Sequence, residues 1–168
     1  QCTLFPYTTL FRSQGKLCAE CHEDIQQQLA KAKVKHQPVE NGECASCHNA
    51  HQSDNKKLLV KAGGKLCYDC HDDLQQQIAK AKSTHQPAAE GDCAACHKPH
   101  VTEISKLLAK PVPALCSDCH EEADLQKVTE HRSAADKAAC LSCHDPHRSD
   151  RQHLLKPQAA MSRPPPKQ

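Results

Sequence analysis

Aromatic residues are scarce in this chain. Its 168 residues include no Trp, two Tyr and two Phe, and 38% of them are hydrophobic. A chain of this length normally buries a sizeable core of apolar side chains, and these residues cannot build one. Long apolar runs are also missing, since no stretch approaches the length of a membrane span. The composition by itself therefore predicts disorder, unless bound cofactors supply the missing apolar volume.

Cysteine, in contrast, is abundant and regularly placed. Twelve of the 13 cysteines fall in six Cys-x-x-Cys-His motifs. This motif is the attachment signature of c-type haem: the two thiols add to the haem vinyl groups, and the adjacent imidazole ligates the iron. The sequence therefore predicts six covalent haems, whose binding also contributes folding free energy. The predicted thioether residues are Cys18, Cys21, Cys44, Cys47, Cys67, Cys70, Cys93, Cys96, Cys116, Cys119, Cys140 and Cys143. The predicted proximal iron ligands are His22, His48, His71, His97, His120 and His144.

The motifs recur with a regular period. Cys18, Cys67 and Cys116 are 49 residues apart, and the second motif of each pair follows in the same phase. This spacing predicts three two-haem repeats over residues 14–62, 63–111 and 112–157, followed by a Pro-rich tail over residues 158–168. Each repeat also ends in a Leu-Leu pair.

A helix is predicted between the two motifs of each repeat, over residues 23–35, 72–84 and 121–130. The first two have acidic residues early and lysines late, which suits the helix dipole. Gln37-Pro38 and Gln86-Pro87 are predicted to end these two helices. We expect a mainly α fold with extensive loops and little strand, elongated and organised by its haems. Its three repeats are expected to stack as a short solenoid.

The first residues have an unusual origin. Residues 3–13 read TLFPYTTLFRS, which matches the translation of a widely used sequencing-adapter oligonucleotide at every position. We interpret residues 1–13 as non-native and set them aside, together with Cys2. The native N-terminus is then expected to be missing, along with any signal peptide, and further haem motifs could precede the first one.

Seven histidines remain outside the motifs, and six of them keep the phase of the repeats. A haem iron has two axial positions, so six phased histidines match six irons. The seventh, His153, falls where Lys57 and Lys106 stand in the other repeats, and is predicted to be a surface side chain. The predicted distal iron ligands are His36, His51, His85, His100, His131 and His147.

Geometry restricts which histidine serves which iron. His51 follows His48 by three residues, so it cannot reach the opposite face of the same haem. His36 follows His22 by 14 residues, about 21 Å along a helix. We therefore pair His36, His85 and His131 with the haems of His48, His97 and His144, and His51, His100 and His147 with those of His22, His71 and His120. An alternative shifts the second set forward by one repeat and leaves the first haem to a ligand from the missing N-terminal sequence.

Complete axial ligation would favour electron transfer over catalysis, because no iron would keep a position for substrate. No catalytic residue is predicted. An alternative is a multihaem oxidoreductase subunit with one open-coordination haem, such as an oxyanion reductase. A remote alternative is a zinc-binding module built on the Cys-x-x-Cys pairs. One negative charge per haem would shift the formal charge of +2 to about −4, so nucleic-acid binding is not predicted.

The six motifs and six phased histidines resemble the doubled-CXXCH multihaem c-type cytochromes, a class III-like, bis-histidine electron-transfer family. The resemblance covers residues 15 to about 157. It implies anaerobic respiration, a periplasmic or extracellular location, and redox partners such as a membrane quinol-oxidising system, terminal reductases or other multihaem cytochromes. The shortened third helix and the missing start depart from the family pattern.

Overall fold

The computed structural model describes residues 14–132 and 140–157. Within them the chain is mainly α-helical with extensive loops, which confirms the predicted fold class. The predicted non-native segment and the Pro-rich tail lie outside the described residues. No helix of the described part is long and apolar enough to cross a membrane.

The helices are short, and the strands have two residues each. The helices are α1 Gln14–Ala19, α2 Glu23–Lys31, α3 Gln37–Glu40, α4 Gly64–Cys67, α5 Asp72–Lys80, α6 Gln86–Ala89, α7 Ala114–Ser117, α8 Glu122–Leu125, α9 Thr129–Arg132 and α10 Cys140–Cys143. The strands are β1 Val34–Lys35, β2 Ser83–Thr84, β3 Val101–Thr102 and β4 Arg148–Ser149. Single 3₁₀ turns cover Cys44–Ser46, Lys56–Leu58, Cys93–Ala95, Ser105–Leu107 and Gln152–Leu154.

Helices α2 and α5 begin where predicted but end four residues early. Ala32 and Ala81 are already extended, with ψ of 140° and 147°. The residues that follow form β1 and β2, whose ladder hydrogen bonds replace the helical ones. The Gln-Pro segments do not end these helices but begin α3 and α6. Proline suits that position because the first turn of a helix leaves its N–H groups without helical partners.

The third predicted helix, over residues 121–130, is two helices, α8 and α9. The Lys127 and Val128 N–H groups donate to the carbonyls of Asp124 and Leu125, three residues back. This tighter hydrogen-bond pattern interrupts the α-helical ladder and ends α8 after one turn.

Two compact units make up the described chain. The first comprises the described residues up to Ala62 together with His97–Ala109. The second comprises Gly63–Cys96 and the described residues from Lys110 onward. The predicted boundary between residues 62 and 63 is also a boundary between units, whereas the second repeat contributes to both. The repeat boundaries stay a prediction.

In the first unit, β1 of the first repeat pairs with β3 of the second. The strands are antiparallel, with Val34 opposite Thr102 and Lys35 opposite Val101. The His36 N–H extends this ladder by donating to the carbonyl of His100 at 3.0 Å. The ladder therefore joins two repeats and sets two of the phased histidines at its end.

The second unit repeats this arrangement one repeat later. Strands β2 and β4 pair antiparallel, with Thr84 opposite Arg148. The His85 N–H donates to the carbonyl of His147 at 3.0 Å. Both ladders therefore connect the chain after the helix of one repeat to the loop after the second motif of the next.

Buried side chains are few. Among the described residues, Val101 is the one buried hydrophobic side chain, at 9% exposure, and the buried polar ones are Thr102 and Ser149. The Thr102 hydroxyl donates to the carbonyl of Leu108 at 2.9 Å, and the Ser149 hydroxyl makes the equivalent bond to Leu155. These buried side chains lie on β3 and β4, next to phased histidines. Their small number agrees with the scarcity of apolar residues in the sequence.

Candidate haem-binding sites

Each motif is built on one turn of helix or 3₁₀ helix. In five motifs the histidine N–H donates to the carbonyl of the first cysteine, at 2.9 to 3.0 Å. In the remaining motif the Cys96 N–H donates to the Cys93 carbonyl at 3.2 Å. Positions three and four apart on a helical turn share a face, so the thiols and the imidazole of one motif point to the same side. None of the twelve motif cysteines is part of a disulfide.

The histidine of every second motif is held by a backbone carbonyl. The Nδ1 atoms of His48, His97 and His144 lie 2.9, 2.8 and 2.8 Å from the carbonyl oxygens of Lys57, Lys106 and His153. A carbonyl only accepts, so Nδ1 carries the proton and Nε2 is left free to ligate a metal. Hydrogen bonds of this kind fix the orientation of ligating histidines.

The carbonyls that hold these histidines lie in left-handed turns. Lys57, Lys106 and His153 have φ of 59°, 61° and 57°, and the leucine after each is also left-handed. Non-glycine residues in this region are uncommon, and the strain is characteristic of functional sites. The imidazole of His153 is exposed, so this residue contributes its backbone carbonyl.

The Leu-Leu pairs bring these turns back to the motifs. Leu59, Leu108 and Leu155 form single β-bridges with His48, His97 and His144. The N–H of the residue after each histidine donates to the carbonyl of the first leucine at 2.8 Å. The sequence showed that these leucines repeat but assigned them no role. Their role is to close the backbone loop that holds the second-motif histidine.

The motif histidines His48, His120 and His144 each face a second imidazole. The ring centroids of His48 and His100 are 6.0 Å apart, those of His120 and His85 6.1 Å, and those of His144 and His131 5.9 Å. Each pair therefore joins one predicted proximal ligand to one predicted distal ligand.

The spacing of these pairs fits one shared iron. Metal–imidazole nitrogen bonds are about 2 Å long, so two rings on opposite sides of one metal have centroids about 6 Å apart. The described pairs have this spacing, and each motif histidine directly follows the second cysteine of its motif. The side chains present therefore fit a covalently attached haem with two imidazole ligands.

Two of these pairs differ from the sequence-based pairing. In the structure His48 faces His100, whereas the sequence-based prediction paired the His48 haem with His36. His85 faces His120, whereas the prediction paired His85 with the His97 haem. The strand ladders explain this difference from the prediction. Pairing of β1 with β3 and of β2 with β4 places the histidines of one repeat beside those of the next. The pair His131–His144 lies within one repeat, as the sequence pairing has it.

The distal members of the pairs are also oriented by their surroundings. The Nδ1 of His85 lies 3.0 Å from the carbonyl of Pro146, and that of His131 lies 3.3 Å from the carbonyl of Leu125. The pKa of His100 is lowered, first by burial and then by the neighbouring His48 and His36 imidazoles. A lowered pKa favours the neutral imidazole, which is the form that ligates a metal.

The two motifs of a repeat approach each other through glycine contacts. A Cβ added to Gly15 would lie 2.6 Å from the Cα of Gly42, and one added to Gly64 would lie 2.7 Å from the Cα of Gly91. Gly42 and Gly91 have φ of +75° and +73°, which glycine adopts without strain. Only glycine therefore allows the backbones ahead of the two motifs to cross at this distance.

In the first and third repeats, the first cysteines of the paired motifs lie close together. The pKa of the Cys44 thiol is raised, first by burial and then by the Cys18 thiol, to which it is hydrogen-bonded. The pKa of the Cys116 thiol is raised in the same way, by burial and then by Cys140.

In the second unit, too, groups of neighbouring motifs lie close to one another. The pKa of the Tyr68 hydroxyl is raised by burial and then by Cys93 and Cys67. The pKa of the Cys96 thiol is raised by burial, then by Cys119 of the next repeat. Neighbouring motifs are therefore close enough in this unit for their thiols to influence one another.

The other predicted ligands occupy defined places. His22 and His71 precede helices α2 and α5 and are exposed. His36 follows β1, and His147 precedes β4. The ring of His51 is exposed, and its N–H donates to Asn49 Oδ1 at 3.1 Å. Within residues 14–132 and 140–157, no group of three or more His, Cys, Asp or Glu side chains is arranged to hold a metal ion by itself.

Comparison with known families gives one match. A family model described as the doubled CXXCH motif matches residues 36–76, 85–125 and 131–161. The first two matched segments each contain the second motif of one repeat and the first motif of the next, the same connection across repeats that the strand ladders make. A search of curated proteins found no match to this chain.

Proposed function

The chain belongs to the doubled CXXCH motif family of multihaem c-type cytochromes, and from this premise we propose that it transfers electrons through six covalently attached haems. The observation that carries the proposal is the set of imidazole pairs whose ring centroids lie about 6 Å apart, each of which includes one motif histidine. Haem supplies an iron that changes oxidation state by one electron.

The residues of this chain would hold the haems in a defined way. The paired cysteines form the thioethers, and His48, His120 and His144 are proximal ligands, each with a facing imidazole. Their distal ligands are His100, His85 and His131. The other phased histidines, His36, His51 and His147, stay predicted distal ligands.

Two imidazoles on one iron favour conduction over catalysis. Both axial positions are then filled by the protein, so substrate has no place on the metal. The carbonyls of Lys57 and His153 hold Nδ1 of two proximal rings, which restricts their movement when the iron changes charge. This rigidity suits a group that only gains and loses electrons.

The thiol contacts support a continuous path in the second unit. Cys67 and Cys93 both influence Tyr68, Cys96 is close to Cys119, and Cys116 is hydrogen-bonded to Cys140. Haems attached at such sites would be neighbours in the order of their motifs. In the first unit, Cys18 and Cys44 join the first two motifs in the same way.

The cellular role we propose is anaerobic respiration, outside the cytoplasmic membrane in the periplasm or extracellular space. Haem attachment at such motifs takes place on that side, which is the reason for this location. Redox partners would be a membrane quinol-oxidising system on one side, and terminal reductases or other multihaem cytochromes on the other.

A spectroelectrochemical titration of the holoprotein tests the electron-transfer proposal. We expect all haems to be reduced and reoxidised reversibly, at potentials below those of a histidine–methionine cytochrome c, because methionine ligation raises the potential. The matched control replaces Cys44 and Cys47 with serine, which should lower the redox-active absorbance by one haem's share. Irreversible reduction, or potentials in the range of a histidine–methionine cytochrome c, would contradict the proposal.

A further inference from the structure

A hydroxyl-bearing residue stands five positions after the histidine of every second motif. These residues are Ser53, Thr102 and Ser149. In each repeat the hydroxyl donates to the carbonyl of the second leucine of the Leu-Leu pair, at 2.5, 2.9 and 2.5 Å. The same oxygen accepts the N–H of the residue two positions later, at 3.0, 3.2 and 3.0 Å. One side-chain oxygen therefore ties together the two ends of the segment that follows each second motif.

This hydroxyl is buried in a chain that buries little else. Ser149 is 6% exposed and Thr102 is 8% exposed. Polar groups that are removed from water are stable only when they are hydrogen-bonded. The hydroxyl and the leucine carbonyl therefore depend on each other, and the bond between them keeps the segment closed.

The closed segment contains the left-handed turn that holds the motif histidine. In the third repeat this segment runs from Ser149 to Leu155. The turn residue within it is His153, with φ of 57°. Its carbonyl oxygen lies 2.8 Å from Nδ1 of His144. A non-glycine residue keeps this conformation only when the surrounding structure holds it there. The Ser149 hydroxyl bond is one of the constraints that fix the carbonyl beside His144.

The bond between Nδ1 and the carbonyl affects the metal that the ring would ligate. A well-aligned acceptor at Nδ1 makes the imidazole a more basic ligand. A more basic ligand stabilises the oxidised iron more than the reduced iron, and so lowers the reduction potential. Misalignment of the carbonyl would have the opposite effect. The hydroxyl can therefore act on the iron through the turn and the ring, without touching the haem.

We propose that Ser53, Thr102 and Ser149 are positioning residues that lower the reduction potential of the haems attached at the second motifs. They do so by fixing the carbonyl that accepts the Nδ1 proton of the proximal histidine. This inference rests on the proposed function, because it requires the haems to be attached. It adds to that function a means by which the chain sets the potential of every second haem.

The test is a spectroelectrochemical titration of the full-length holoprotein carrying Ser149→Ala, compared with the parent. We expect one haem's share of the absorbance change to move to a more positive potential, while that haem stays attached and low-spin. Serine at Cys140 and Cys143, added to this variant, should remove the shifted component. Ser149→Thr should restore the parent potential, because threonine makes the same bond in the second repeat.

Ser83→Ala is the matched control. Ser83 lies opposite Ser149 in the ladder of β2 and β4. The same substitution is thus made on the paired strand, and the bond to the Leu155 carbonyl is left in place. The potentials of Ser83→Ala should equal those of the parent.

The first repeat provides a second, independent test. There the Leu59 carbonyl also accepts a bond from Asn55 Nδ2, at 2.9 Å. Ser53→Ala should therefore shift the His48 haem in the same direction as Ser149→Ala shifts the His144 haem, but by less. Ser53→Ala combined with Asn55→Ala should give a larger shift than Ser53→Ala alone.

Each other outcome has a separate meaning. A Ser149→Ala protein that keeps its haems at the parent potentials would overturn the positioning role and leave the electron-transfer proposal standing. An equal shift in Ser83→Ala, or no recovery in Ser149→Thr, would also overturn it, because the hydroxyl bond would not be the cause. If Ser149→Ala does not assemble with its haems, the Ser53 variants decide by the same criterion. A parent without reversible haem reduction would overturn the proposed function itself.

Discussion

Replacing His100 with alanine is expected to change the haem of His48 from a low-spin, six-coordinate centre to a high-spin one. The His48 and His100 rings are 6.0 Å apart, so His100 is the side chain placed to fill the second axial position. With it removed, the iron keeps only His48. We expect a new high-spin signal in the visible and EPR spectra, and one carbon monoxide equivalent more than the parent binds.

Two comparisons assign that signal to the second motif. Serine at Cys44 and Cys47, added to His100→Ala, should remove the new signal together with its haem. His36→Ala is the discriminating variant, because the sequence alone pairs His36 with this iron. If His36→Ala opens the His48 haem and His100→Ala leaves it low-spin, the pairing seen in the structure is wrong.

Alanine at Gly64 is expected to destabilise the holoprotein by about 1–3 kcal/mol, the usual cost of forcing extra atoms into a closely packed place. The added Cβ would lie 2.7 Å from the Cα and 2.9 Å from the carbonyl oxygen of Gly91. Both are backbone atoms, so the two segments must move apart. Thermal unfolding, monitored by far-UV circular dichroism, should have a midpoint temperature several degrees below that of the parent.

Lys65 provides the matched control for this variant. It is the next residue of α4 and its side chain is exposed, so Lys65→Ala puts alanine at the neighbouring helical position without adding atoms to a close backbone contact. Lys65→Ala should therefore unfold close to the parent. If both variants lose the same stability, the close contact between Gly64 and Gly91 is not the cause of the destabilisation.

Local patterns made the motifs and the starts of the helices predictable. The motif is a contiguous five-residue segment, and the acidic residues at the beginning of α2 and α5 mark helix starts. The phase of the repeats also identified the histidines that face His48, His120 and His144 as ligand candidates. Each of these features depends on residues close together in sequence, or on simple repetition.

The pairing of the histidines was not predictable from such patterns. It depends on ladders of two residues per strand, and alternation becomes recognisable only over about four to eight residues. Val34–Lys35 and Ser83–Thr84 therefore read as the ends of helices. Only their partners in the next repeat, Val101–Thr102 and Arg148–Ser149, make them strands.

The backbone carbonyls that hold the second-motif histidines could not be predicted from the sequence, for a different reason. Left-handed turns are usually recognised by glycine, asparagine or aspartate, and here Lys57, Lys106 and His153 take that conformation, each followed by leucine. The tertiary bonds to His48, His97 and His144 compensate for the strain. Repetition of the Leu-Leu pairs was the one signal in the sequence that pointed to these turns.

We propose that each of the six motifs carries a covalently bound haem. The most direct measurement is the mass of the intact holoprotein under denaturing conditions, which removes any group that is not covalently attached. We predict the mass of the polypeptide plus six haems, with no zinc retained. A mass equal to that of the polypeptide alone, or zinc bound in proportion to the cysteine pairs in the native protein, would contradict it.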